Sequence, residues 1–121
     1  MGLYIVYIFF KLGVGNWQKR ICTSSVGFNQ TWTSTVSVRG NIGLLIVKGS
    51  DAASGTTAKH MIFAFVGSSA SDTNILTKIS EAGSVQYSDG PQVSINSDRK
   101  LQVVAGGCFA DLILISYYNC Y

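Results

Sequence analysis

A chain of 121 residues, 47% apolar and only 12% charged, is long enough to bury a real core and too apolar, at a net charge of +3, to stay disordered. Its adjacent basic pairs, Lys19-Arg20 and Arg99-Lys100, stand in no basic run interleaved with aromatics, so nucleic-acid binding has no electrostatic footprint. With so few charges the polar surface must come from Ser, Thr, Asn, Gln and Gly, and extra apolar surface can face sister subunits.

In chain order, Leu3 to Leu12 reads as a buried strand. Its apolar stretch is far too short to cross a membrane as a helix. A signal peptide fits less well: no Lys or Arg precedes the stretch, its residues are aromatic and β-branched, and Gly13-Val14-Gly15 is a poor cleavage site. Arg20 to Thr23 is a shorter strand. Thr31 to Arg39 alternates, with Trp32, Ser34, Val36 and Val38 on one face and Thr31, Thr33, Thr35 and Ser37 on the other. Gly43 to Lys48 is an apolar run expected to be buried on both sides, and His60 to Val66 puts Met61, Phe63 and Phe65 on one face. The segment from Asp72 to Glu81 fits a strand or one amphipathic helical turn equally well. Val85 to Tyr87, Val93 to Ile95, Leu101 to Val104 and Leu112 to Tyr117 complete the strands.

Turn chemistry punctuates these runs. It falls at Arg39-Gly40-Asn41, the polar loop Gly49 to Ala58, the Ser-rich Gly67 to Thr73, Ser88-Asp89-Gly90-Pro91, Asn96-Ser97-Asp98 and Gly106-Gly107. Eight to ten short strands at regular spacing predict an all-β fold, an antiparallel β-sandwich or jelly roll. Without an internal repeat or linker, residues 1–121 read as one domain, and residues 1–14 as a strand continuing from an upstream region.

No arrangement points to catalysis. The single histidine, His60, starts an apolar strand, and the acids Asp51, Asp72, Glu81, Asp89, Asp98 and Asp111 are scattered, mostly through turns. There is no G-x-S-x-G, H-E-x-x-H or P-loop, and no cysteine pair has metal-site spacing, so neither a cofactor nor a metal is expected. Cys22, Cys108 and Cys120 cannot all pair within one chain. They read as small thiols, with a Cys108–Cys120 disulfide open to an extracellular protein. Asn29-Gln30-Thr31 matches a glycosylation sequon, which matters only in a eukaryotic secretory setting.

The most distinctive string runs from Gly15 to Ile21. Physically, Trp17 could cap one end of the core with Ile21 pointing inward. The string also resembles phage tail-fibre and receptor-binding domains, where a Gly-x-Trp is followed by Arg-Ile, then a Thr/Ser-alternating strand, here Thr31 to Arg39, and apolar and Ser/Gly-rich segments. Thr77-Lys78-Ile79 is similar to a Lys-Ile element that often comes later. This chain departs from the pattern in having Gln18 in place of an aromatic and Lys19 inserted before Arg20. The resemblance implies a β-sandwich at a virion fibre tip, commonly a homotrimer, touching a bacterial surface glycan or protein. Aromatic rings stack on sugar faces while amides bond hydroxyls, which makes Trp32, Tyr87, Asn96 and Tyr118 the candidate ligand contacts. The expected function is thus binding or assembly without catalysis or membrane insertion. The alternatives are a secreted lectin-like or C1q-like sandwich, a capsid or decoration protein, and a small hydrolase.

Overall fold

The computed structural model describes residues 17–51 and 57–119. Eight strands are described: β1 (Trp17–Val26), β2 (Thr31–Ser37), β3 (Asn41–Ser50), β4 (Ala58–Gly67), β5 (Asn74–Gly83), β6 (Gln92–Ile95), β7 (Lys100–Val104) and β8 (Phe109–Asn119). None of the described residues is helical. The strands form a five-stranded sheet of order β1-β8-β3-β4-β5 and a three-stranded sheet of order β2-β7-β6, paired antiparallel throughout. The all-β sandwich expected from the alternating runs is the fold observed.

The core lies between the sheets. Leu45, Val47, Met61, Phe63, Phe65, Leu112 and Leu114 face inward from the larger sheet, against Leu101 and Val103 of the smaller. Each such side chain contributes about 1.5–3 kcal/mol on burial. Trp32, Val93 and Ile95 close the core from the smaller sheet, and Leu76 packs on it from β5.

The two ends of the sandwich differ. One end carries the β2–β3, β4–β5 and β6–β7 turns, gathered around Arg99. The other carries the starts of β2, β4, β6 and β8, with Cys108 buried beneath. The expected turns fall where Gly or Asn supplies positive φ: Gly40 at 71°, Gly90 at 89°, Gly106 at 66° and Asn29 at 59°.

Several local expectations are corrected. Val85 to Tyr87 is not a strand: Val85 is buried, but its segment belongs to the β5–β6 connection. The strand is Asn74–Gly83, which sequence left ambiguous because the three-stranded sheet does not cover β5 and most of its residues are exposed on both faces. Val36 does not share the inward face of Trp32 and Ser34. A register shift between Thr33 and Ser37 turns it outward to 40% exposure. Ile21 points outward at 56% exposure, and its neighbour Cys22 faces the core instead. The Gly43 to Lys48 run is buried on one side only, with Leu45 and Val47 inside and Leu44 at 37% exposure outside.

Cys108 is a free, fully buried thiol that donates to the Ala105 carbonyl (3.1 Å). It precedes β8, whose far end lies roughly 30 Å away at the usual rise per residue, so it does not reach the C-terminal end of that strand. The expected Leu3 to Leu12 strand, the Trp17 side chain and Cys120 lie outside the described residues.

Candidate functional site

The four candidate ligand contacts do not converge. Trp32, the second residue of β2, packs partly buried against the core beside Val103. Tyr87 stands 71% exposed in the β5–β6 connection, at the Cys108 end. Asn96 lies at the opposite end, in the β6–β7 turn. Its Oδ1 accepts the backbone N–H groups of Asp98 (2.9 Å) and Lys100 (3.0 Å), which holds the turn. Tyr118, near the end of β8, is paired with Gln18 and Asn41, also at the Arg99 end. The Tyr118 side chain lies outside the described residues, and of the two described rings Tyr87 is the more open.

Three of the acids are held by separate partners. Glu81 sits between Lys59 and Lys78, each 2.6 Å from its carboxylate. Hydrogen bonds from Lys59 and then Lys78 lower its pKa to about 2. Asp111 accepts a hydrogen bond from Ser25 Oγ (2.7 Å). Buried Asp51 accepts the Gln86 backbone N–H (2.9 Å), which pins the Tyr87 segment to the end of β3. Among the described residues no three His, Cys, Asp or Glu side chains gather to hold a metal. Burial pushes the Cys108 thiol up, away from the thiolate form.

The most extensive feature is the outer face of the five-stranded sheet. Alternate residues of each strand point to it, and register lines them up across the sheet. Ile21, Ile115, Leu44 and Ala64 form one row, ending at Thr77 on β5, and Tyr117, Ile42, Val66 and Ile75 form the next toward the Arg99 end, with Lys19 at its β1 edge. Ile113 and Ile46 lie in a third row. Seven of these side chains are exposed, from 37% at Leu44 through 40% at Ile113, Tyr117 and Val66 to 56% at Ile21, while Ile46, Ile115 and Ala64 are partly buried.

Toward the Cys108 end the face turns polar, with Ser25, Asp111, Lys48 and His60 in successive strands. An open depression of about 520 Å³ lies here, bordered by Thr23, Ser25, Ile46, Lys48, Asp111 and Ile113. The outer face of the smaller sheet is more polar, with exposed Thr31, Thr33, Thr35, Gln92 and Ser94 around the isolated Val104 and Val36.

Reading the sequence alone misses this face. A continuous apolar run such as Ile42 to Val47 suggests two buried sides, one more than the chain itself covers. The same run also describes a strand with one side against its own core and one side open.

The sequence matches no protein-family model and no curated protein. Among solved structures the fold is similar to part of the tailspike protein of Acinetobacter phage vB_ApiP_P1 (23% identity, TM-score 0.47), over 88% of this chain and 22% of that one. It is also similar to part of tailspike protein gp49 of Acinetobacter baumannii bacteriophage Fri1, a capsular polysaccharide depolymerase. That overlap has 10% identity and TM-score 0.47, over 85% of this chain and 17% of that one. The chain spans about a fifth of each tailspike. At this identity and score the overlap assigns this chain no activity and no ligand.

Proposed function

We propose that this chain is a non-catalytic assembly and attachment domain of a phage-type fibre, working as a homotrimer on the virion and touching a cell-surface glycan or protein. The observation that carries the reading is the contrast between its two outer faces. One is a continuous apolar sheet surface, the other a Thr/Ser/Gln surface of ordinary wetness. An apolar patch of this breadth suits burial against protein rather than water. The Gly15 to Ile21 string and its resemblance to fibre domains supply the setting.

Ligand contact falls to the loops, and Tyr87 is the ring best placed for it, since its exposed face is free to stack on a sugar.

The test is the solution mass of the purified chain by light scattering under reducing conditions, followed by binding of labelled chain to bacterial surface polysaccharide. A trimer that binds, and binds less well as Tyr87→Ala, is the expected result. A stable monomer at every concentration overturns the assembly reading and turns attention to a secreted carbohydrate-binding sandwich.

A further inference from the structure

We infer that the outer face of the five-stranded sheet is the seam between copies of this chain, with the symmetry axis parallel to the strands over the β8–β3 pair, so that Lys48 of one copy meets Asp111 of the next. The inference rests on the assembly reading above and adds which face is used and in which orientation.

Three observations choose the occupant. The first is area. The exposed apolar side chains of this face amount to roughly 600 Å², at the top of the range for the largest patch on a monomer. With its polar rim the face approaches the ~800 Å² per partner of a stable protein interface. The second is charge. Lys48 and Asp111 are opposite each other on β3 and β8, yet Lys48 makes no ion pair among the described residues. Among the described residues Asp111 is held by Ser25 alone, from the β1 side. Each therefore keeps capacity for a group arriving from above the sheet.

The third observation is the gradient along the strands. The face is polar at the Ser25–His60 row and apolar from Tyr117 to Ile75, with Lys19 only at the outer β1 edge of that row. An axis across the strands would press Lys48 and Asp111 onto Tyr117 and Ile42, stranding charge on apolar surface. An axis along the strands puts like rows at the same height. It then carries β3 of one copy toward β8 of the next, so that Leu44 meets Ile115 and Lys48 meets Asp111. This holds for two copies face to face and for three around a common axis, where the six charges alternate. The face is thus complementary to itself, as a closed symmetric assembly requires.

The experiment is sedimentation velocity on the full chain across a concentration series. Leu44→Glu puts a charge at an already exposed position, so the fold is expected to persist, checked by circular dichroism. It is expected to raise the dissociation constant about a hundredfold or more. Thr35→Glu, on the smaller sheet's outer face, is expected to leave the mass unchanged.

Lys48→Asp and Asp111→Lys are each expected to weaken assembly about tenfold. A mixture of the two is expected to recover it, at both contacts of a pair and at two of the three contacts of a trimer, because the carboxylate introduced on β3 of one variant then meets the ammonium introduced on β8 of the other. Only contact between copies produces that recovery. An oligomer that survives Leu44→Glu, or charge variants whose mixture assembles no better than either alone, overturns the seam while leaving the assembly reading standing. A wild-type chain that stays monomeric overturns both.

Discussion

Arg99 offers the sharpest test of how one end of this sandwich is held. Its backbone is in the left-handed region, at φ 60°. From there Nε donates to Asn74 Oδ1 (2.8 Å), and one terminal nitrogen donates to the carbonyls of Ser68 (2.8 Å) and Thr73 (3.1 Å). Its own carbonyl accepts from the Val38 N–H (2.7 Å) and Ser37 Oγ (3.1 Å). One side chain thus ties the β6–β7 turn to the β4–β5 turn, while its backbone ties the same turn to the end of β2.

Hydrogen bonds from a charged donor contribute about 1.5–3 kcal/mol each when protected. Here the acceptors lie in a loop that water can reach, and the other terminal nitrogen is buried without a partner among the described residues. The net loss on Arg99→Ala is therefore expected near 3 kcal/mol, about the value of one protected bond rather than of three. Arg99→Gly loses the same bonds but escapes the ~1–2 kcal/mol cost of left-handed backbone. Greater freedom in the unfolded chain returns about 0.4–1 kcal/mol of that gain. Glycine should end slightly more stable than alanine, by about 0.5–1 kcal/mol on those figures.

Urea unfolding at one fixed protein concentration reads this directly. At a slope of about 1.5 kcal/mol/M, the alanine variant's midpoint should fall by about 2 M. An alanine variant within about 0.5 kcal/mol of wild type, the range of ordinary surface changes, would refute the tether. A glycine variant less stable than alanine would refute the backbone term.

Other outcomes follow from single positions. Leu45 is fully buried, so Leu45→Ala should cost about 3 kcal/mol in the same urea assay. Ser34 Oγ donates to the Val36 carbonyl (2.8 Å) and accepts the Leu101 N–H (3.0 Å). Ser34→Ala strands that buried N–H and should cost about 1–3 kcal/mol. Glu81 has its pKa lowered from 4.5 to about 2 by Lys59 and Lys78. Its contribution is therefore present above about pH 4.5 and lost as pH falls toward 2. Acid unfolding of wild type should accordingly be steeper across that window than that of Glu81→Gln. Cys108 is fully buried and its thiol is pushed up by desolvation. It should resist a thiol reagent in the native chain and react on unfolding, and its linkage should destabilise the fold only as pH rises past the ordinary thiol range. Fast labelling of Cys108 in the native chain, resolved by peptide mass, would count against that burial.

The all-β class and most strand positions are written in the local pattern. Met61, Phe63 and Phe65 alternate with less buried neighbours and share the core as their spacing requires. Gly40 and Gly90 mark turns because their φ values suit glycine, a demand legible from neighbours alone. The candidate contacts were less legible. Trp32, Tyr87, Asn96 and Tyr118 are the right residue types for a sugar, but type says nothing of which end of a sandwich each will occupy.

Sequence by itself therefore determined the period-two strands, their turns and the scarcity of charge, because those are properties of neighbours along the chain. Only the tertiary structure decided which apolar face is covered. Ile21 and Cys22, or Leu44 and Leu45, are adjacent in sequence and equally apolar in composition, and strand alternation sends them to opposite sides of the sheet. Which side meets the smaller sheet depends on pairings such as Lys48 with Asp111, far apart along the chain. No local pattern carries that information, and the broad outer surface it leaves open is where this chain's assembly is proposed to take place.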